Sequence, residues 1–222
     1  MTRRDGAAAR RSPRADAALV RSVTAQMEAL VGPVKYVMHD RSDGPVRISV
    51  HVVPPNPRRA YTTLFTTGLS ERRMSVPPCG CGGDGYAELM ITLPASWSIE
   101  PETRGEHLTW PVAWLRDLAL YPHASHAWLG SGHTIPNGDP PVPIAPDTAL
   151  AGVMLLPPRG LGTRHIAHPR GGEIALLALV PLYPGELELK LREGAEALVS
   201  RMALYNVSEV VVRRRVDLSR RA

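Results

Sequence analysis

The spacing of apolar residues near the start of the chain predicts an amphipathic helix. Between residues 17 and 31, apolar side chains recur every three or four positions, which places them on one helical face. Asp16 stands where an N-cap residue is expected, and Gly32-Pro33 ends the pattern. The predicted buried face consists of Leu19, Val20, Val23, Met27, Leu30 and Val31.

After this helix the apolar residues alternate strictly with polar ones, which predicts a half-buried β-strand. The alternating apolar positions are Val46, Ile48, Val50 and Val52. Further apolar runs bounded by Pro and Gly predict strands over 61–67, 86–93, 149–156 and 174–183, and a last short strand over 208–212.

Two more helices complete the pattern. Pro111 suits the first position of a helix that runs to about residue 121, where Pro122 is expected to end it. The strongest helical periodicity runs from Gly185 to about Tyr205, with a predicted buried stripe of Leu187, Leu191, Ala195, Leu198 and Met202. The order of elements predicts an α+β fold in which helices cover one mixed β-sheet.

Composition divides the chain into a body and two basic ends. The net charge of +5 is concentrated in residues 1–17 and 212–222, which carry +3 and +4, so the remaining residues sum to −2. We predict a disordered basic tail over 1–15, one domain over 16–212 and an Arg-rich tail over 213–222. The body lacks the clustered basic and aromatic residues of a nucleic-acid-binding domain, so any nucleic-acid binding would depend on the tails.

The sequence favours a cytoplasmic protein. It has no run of 18 apolar residues, and no apolar stretch follows the basic N-terminus. Its two cysteines, Cys79 and Cys81, provide no disulfide framework, and their role is open.

Enzymatic motifs are weak. Ser131 and His133 share the segment Gly130-Ser131-Gly132-His133, but the nucleophile elbow of a serine hydrolase is absent and turn residues explain the segment better. The alternative function that we retain is a metal-assisted hydrolase that uses His123, His126 and His133. No cofactor-binding motif is present, and we expect no cofactor.

Residues 110–136 hold three of the four tryptophans and several charged groups. Most of these tryptophans are expected in the core, and Asp117 is expected to form a structural ion pair or accept backbone hydrogen bonds. Tyr121 and Trp128 flank a Pro-His loop at a helix end, where half-exposed aromatic side chains can anchor a partner.

The same region carries a resemblance to a known family. Trp110-Pro111, Leu115–Ala119, Tyr121, and Trp128 followed by Ser131-Gly132-His133 resemble the signature of suppressor-of-fused domains. The resemblance runs from about residue 28 to 205, through Thr66–Ser70, Met74, Val76-Pro77, Tyr86–Met90, Leu93-Pro94, Trp97, Pro181–Tyr183 and Glu186-Leu187.

This resemblance implies a non-enzymatic protein-binding module whose animal members hold an extended peptide by strand-like pairing. It places the partner-binding residues at Tyr121, Trp128, Ser131 and His133, and we add Asp117 on the adjoining helix. The acidic residue that helps to hold the peptide in animal members falls on Gly132 here. Single-domain members like this chain look bacterial, and some of them resemble immunity proteins that neutralise a toxin, so a toxin domain is one partner class that the resemblance implies.

Overall fold

The computed structural model describes residues 16–39, 44–78, 82–99 and 106–220, with only the backbone of residues 106–108. The predicted tail over 1–15 and both cysteines lie outside these residues. The described chain contains four α-helices: α1 (Ala17–Val31), α2 (Glu106–Ala124), α3 (Pro184–Glu193) and α4 (Ala195–Leu204). Its strands are β1 (Tyr36–His39), β2 (Ser49–Val53), β3 (Tyr61–Thr67), β4 (Tyr86–Pro94), β5 (Thr134–Pro136), β6 (Gly152–Leu156), β7 (His165–Ala167) and β8 (Glu173–Leu182).

The strands form one mixed sheet, as the sequence predicts. Their order is β1-β2-β3-β4-β8-β6-β5, and β7 pairs with the first residues of β8. The pairing of β4 with β8 is parallel, whereas the other pairings are antiparallel. The α+β prediction is therefore confirmed, and β5 lies at one end of the sheet.

The alternation of side chains along β8 separates two buried faces. Leu177 and Leu179 belong to the core beneath α2, whereas Leu176 packs in the α1 cluster and Val180 and Leu182 pack in the α3–α4 cluster. The helices therefore cover both faces of the sheet, with α1 and the α3–α4 pair on one side and α2 on the other.

Helix α1 has the bounds that its apolar spacing predicts. The Asp16 carboxylate accepts hydrogen bonds from the backbone N–H groups of Ala18 and Leu19, which caps the first turn. The buried side chains of the helix contact the sheet through the cluster that includes Phe65, Met90 and Ile174. The buried positions of the helix are Leu19, Val23, Met27 and Val31.

Helix α2 extends beyond both prolines that were expected to bound it. It starts at Glu106, five residues before Pro111, and continues past Pro122 to Ala124. A proline inside a helix removes one backbone hydrogen bond and crowds the preceding turn. Here the apolar face that includes Trp110 and Leu115 is buried against the sheet, and this packing overrides the local preference.

The predicted helix over 185–205 is two helices. Gly194 has a positive φ of 88°, and it is both the residue that ends α3 and the residue that precedes α4. Leu191 is 77% exposed and Ala195 is half-buried, whereas Leu187, Leu198 and Met202 are buried as predicted.

The chain after α4 is anchored rather than paired as a strand. In place of the strand predicted over 208–212, a single bridge joins Val210 to Thr92. Arg213 forms an ion pair with Asp147 and lies over the Trp97 ring, and Arg215 forms a buried ion pair with Glu186. Residues 213–220, which the sequence assigns to a tail, therefore contact the body of the domain.

The core contains one histidine that we expect to make stability fall in acid. His51 is buried, stacks on Phe65 at 4.7 Å, and its Nε2 lies 2.9 Å from the Thr67 hydroxyl. Burial, with a smaller contribution from the charge of His39, lowers the pKa of His51 to about 4. The unfolded chain binds a proton at this histidine near pH 6.5, whereas the folded state binds it only near pH 4. The stability that comes from the neutral His51 is therefore fully present above pH 6.5 and is lost as the pH falls towards 4.

We expect the free energy of unfolding to fall by about 3 kcal/mol between pH 6.5 and pH 4 because of His51, since one unit of pKa shift corresponds to about 1.4 kcal/mol. Urea unfolding of the wild type and of His51→Phe between pH 4 and 7 measures it, because phenylalanine keeps the ring stacking but does not titrate. We expect the difference between the two pH profiles to show this slope. If the free energies of unfolding of the two proteins change in parallel with pH, His51 does not control the pH dependence of stability.

Candidate partner-binding surface

Two of the predicted binding residues lie on the exposed side of helix α2. Asp117 and Tyr121 are four residues apart, so they occupy adjacent turns of the same helical face. Both are exposed, and 46% of the Tyr121 surface is accessible. Asp117 has no ion pair within the described part of the chain, so the structural ion pair expected for it is not observed there.

Trp128 is half-buried in the loop that follows α2, and two glycines allow its position. A Cβ atom on Gly130 would lie 2.4 Å from the indole ring, and one on Gly82 would lie 3.2 Å from it. The His133 ring meets the indole edge-on, with ring centroids 4.3 Å apart. The indole is therefore fixed by its surroundings while part of it reaches solvent.

The His133 ring contacts Trp128, and His133 directly precedes the first residue of β5 in the sequence. Burial and the positive charge of Lys190 lower the pKa of the imidazole, although a hydrogen bond to the backbone carbonyl of Trp128 acts in the opposite direction. Burial has the larger effect, so the ring is neutral at pH 7. The backbone carbonyl of His133 accepts a hydrogen bond from Leu155, which begins the β5–β6 ladder.

Ser131 is exposed and lines a cleft of about 300 Å³. The same cleft is lined by titratable residues that sequence reasoning did not assign to a site: Asp84, Arg164, His165 and Glu173. Asp84 accepts a hydrogen bond from the backbone N–H of Glu173 at 2.7 Å, and His165 Nδ1 lies 3.8 Å from the Glu173 carboxylate. The cleft thus brings Ser131 together with groups from separate segments of the chain.

The histidines of the metal-hydrolase alternative are not brought together. Nε2 of His123 lies 2.9 Å from the backbone carbonyl of Leu69, and His126 is exposed with a positive φ of 51°. Across the described residues no group of three His, Cys, Asp or Glu side chains is arranged to hold a metal ion. The expectation that His123, His126 and His133 form one site is therefore wrong for the arrangement observed.

The structure also shows no hydrogen bond between Ser131 and His133 in the portion of the chain that it describes.

Within the same portion, no helix combines the length and apolarity needed to cross a lipid bilayer.

The comparisons with known proteins identify the family. The sequence pattern of the family described as suppressor of fused protein (SUFU) matches residues 44–216. Curated proteins give no match.

Three solved structures show the same fold. The Sufu-Fu complex has a TM-score of 0.61 and 16% identity over 90% of this chain and 91% of that one. Drosophila Suppressor of Fused has a TM-score of 0.62 and 15% identity over 90% of this chain, which spans 51% of the Drosophila chain. A SUFU homologue from Neisseria gonorrhoeae FA 1090 has a TM-score of 0.67 and 12% identity over 90% of this chain and 97% of the homologue.

The family pattern covers most of the chain and includes both the Trp128 loop and helix α2. The chain belongs to the suppressor of fused protein family.

Proposed function

We propose that this chain is a non-enzymatic protein-binding module whose partner contacts the surface formed by Asp117, Tyr121, Trp128, Ser131 and His133. We call this set the Trp128 surface. The observation that carries the proposal is the fixed, half-exposed indole of Trp128. An aromatic side chain that is held in place before binding loses little conformational entropy when it contacts a partner, which is typical of residues that dominate binding energy.

The adjoining sheet edge supports the recognition of an extended segment. Strand β5 begins one residue after His133 and is the terminal strand of the sheet order, so its outer edge has no paired strand among the described residues. An unpaired edge of this kind can accept an added strand through backbone hydrogen bonds. We propose that the partner provides such a strand beside β5 and inserts side chains around Trp128.

Similarity to other members supports a protein as the ligand. One related structure is described as a complex of Sufu with Fu. The narrower proposal is that the partner is a toxin domain that this chain neutralises, which the resemblance to bacterial members supports. A cytoplasmic location remains a prediction from the sequence.

Replacing both aromatic anchors is expected to abolish capture of the partner. We propose to purify partners from source cells with immobilised wild-type chain, with Tyr121→Ala/Trp128→Ala, and with Tyr205→Ala as the matched control. Tyr205 is also an exposed tyrosine at a helix end, but it lies at the end of α4. For the identified partner, Trp128→Ala alone should cost more than about 1–2 kcal/mol of binding free energy, or about tenfold in Kd.

The folded state of each variant is checked by urea unfolding. If Trp128→Ala does not fold, Ser131→Arg replaces it, because Ser131 is exposed and an arginine there would obstruct the same surface. Partner capture that is equal in all folded variants would contradict the proposal.

A further inference from the structure

A second concave surface lies away from Trp128, and its lining is rich in arginine. It is a groove of about 570 Å³ between the turn before β3, the end of α4 with the segment that follows it, and residues 159–160. Arg58, Arg59 and Arg159 line the groove, and Glu209 is the one acidic residue among the described lining residues.

The single carboxylate of the groove is already engaged. Glu209 Oε1 lies 3.8 Å from Arg59 Nη2, and Glu209 Oε2 accepts a 2.7 Å hydrogen bond from the backbone N–H of Arg159. Arg59 also donates to the carbonyl of Gly160 and is largely buried. Arg59 and Glu209 therefore neutralise each other and hold the two walls of the groove together.

The other two arginines are not neutralised. The side chains of Arg58 and Arg159 are exposed, and neither guanidinium has an ion-pair partner within the described ranges. The groove thus presents about two uncompensated positive charges from separate segments of the chain, which would attract an anionic ligand.

The groove is also partly apolar. The partly exposed side chains of Val207 and Val210 line it, and Tyr61, which also lines it, is 42% exposed. An apolar lining beside two guanidinium groups matches a ligand that alternates hydrophobic and acidic groups. A free inorganic anion would use only the charges.

We propose that this groove binds a short segment of a partner protein in which acidic and large apolar side chains alternate. Arg58 and Arg159 pair with the carboxylates, and the apolar side chains lie against Tyr61 and Val207. This contact is separate from the Trp128 surface and does not depend on it. Nucleic acid fits less well, because its binding depends on the neutralisation of many phosphates and this groove offers only two arginines without an ion-pair partner among the described residues.

The test uses the full chain and three probes. The probes are a blocked hexapeptide of alternating glutamate and leucine, the same peptide with lysine for glutamate, and inorganic phosphate. Binding is followed by chemical shifts in ¹⁵N-labelled protein at about 50 mM NaCl. We expect the acidic peptide to bind and to shift residues 58–61 and 202–210, with binding weakened at about 500 mM NaCl because the salt screens exposed charges.

Two variants and one control locate the site. Arg58→Ala/Arg159→Ala should weaken binding by about tenfold, and Ala203→Glu should weaken it by adding a negative charge to the groove wall. Arg21→Ala, on the exposed side of α1, removes one positive charge elsewhere and should leave binding unchanged.

Any of four results would overturn the proposal. These are no binding of the acidic peptide, shifts confined to another surface, equal binding of the lysine peptide, and phosphate that binds as tightly as the acidic peptide. Binding that survives in both groove variants while they remain folded would also contradict it.

Discussion

Replacing Glu186 by alanine is expected to lower the free energy of unfolding by about 3–5 kcal/mol. The Glu186 side chain is fully buried at the start of α3 and forms an ion pair with Arg215. Its carboxylate also accepts hydrogen bonds from the backbone N–H groups of Tyr183 and Leu218, each at 2.9 Å. The substitution would leave a largely buried guanidinium and two backbone donors without their partner.

The position of Glu186 makes this loss affect two elements at once. Arg215 also donates to the carbonyl of Pro181 at the end of β8, and Leu218 is buried in the α3–α4 core cluster. Glu186 thus joins the final segment of the described chain to the sheet and to α3. Without it, we expect residues 213–220 to detach in the same transition that weakens the domain.

Urea unfolding of Glu186→Ala measures this effect, and Arg220→Ala is the matched control. Arg220 pairs with Asp217 in the same segment, but its side chain is 85% exposed, so removal of that pair should cost at most about 1 kcal/mol. An equal decrease in the free energy of unfolding in the two variants would show that the buried Glu186–Arg215 pair contributes no more to stability than the exposed Arg220–Asp217 pair.

Replacing Glu88 by alanine is expected to cost at least about 3 kcal/mol, because several buried donors lose their acceptor. Glu88 Oε1 accepts hydrogen bonds from the backbone N–H groups of Gly68 and Ser70 and from the Ser70 hydroxyl, and Oε2 accepts one from Thr66. Burial raises the pKa of Glu88 to about 7, although these hydrogen bonds favour the ionised form.

This buried carboxylate supports the end of α2 through the turn that it organises. Leu69 lies in the 3₁₀ turn Leu69–Glu71, and its carbonyl lies 2.9 Å from Nε2 of His123. His123 is two residues after Tyr121 in the same helix. Loss of the Glu88 carboxylate should therefore loosen the helix end that positions part of the Trp128 surface.

Glu88→Gln is the matched comparison for this experiment. Glutamine keeps the shape of the side chain and one acceptor oxygen, so its loss of stability in urea unfolding should be clearly smaller than that of Glu88→Ala. The amide proton of Ser70 should exchange faster with solvent in Glu88→Ala than in Glu88→Gln. Similar stability of both variants would show that the hydrogen bonds of Glu88 contribute little.

The elements that the sequence predicts well are long and strongly periodic. Helix α1 and strand β3 have the predicted bounds, and β4 and β8 lie within one residue of theirs. The missed strands β1, β5 and β7 have only three or four residues, which is too short for a pattern to develop. Their pairing is decided by neighbouring strands that are distant in sequence.

Long-range packing also explains the errors in the helices. Pro111 and Pro122 are strong local signals, but burial of the α2 face against the sheet outweighs them. Gly194 divides one periodic stretch into two helices, because its positive φ is not helical while the spacing of apolar residues continues on either side.

The sites divide in the same way. Asp117, Tyr121, Trp128, Ser131 and His133 were predicted from a single stretch of sequence, and the structure places Trp128 in contact with His133 there. The charged wall of the Ser131 cleft and the arginine groove are each assembled from three or more separate segments. No local motif brings Arg58 and Arg159 together, so only the fold shows that they share a groove.

Site-specific photo-crosslinking at residue 131 would test the proposed function most directly. The photoreactive amino acid p-benzoylphenylalanine would replace Ser131 in one variant and Arg21 in another, both exposed but on different elements. After irradiation of source cells, we predict that residue 131 forms an adduct with one defined protein and residue 21 does not. No adduct at residue 131, or the same adducts at both positions, would contradict a partner-binding role for the Trp128 surface.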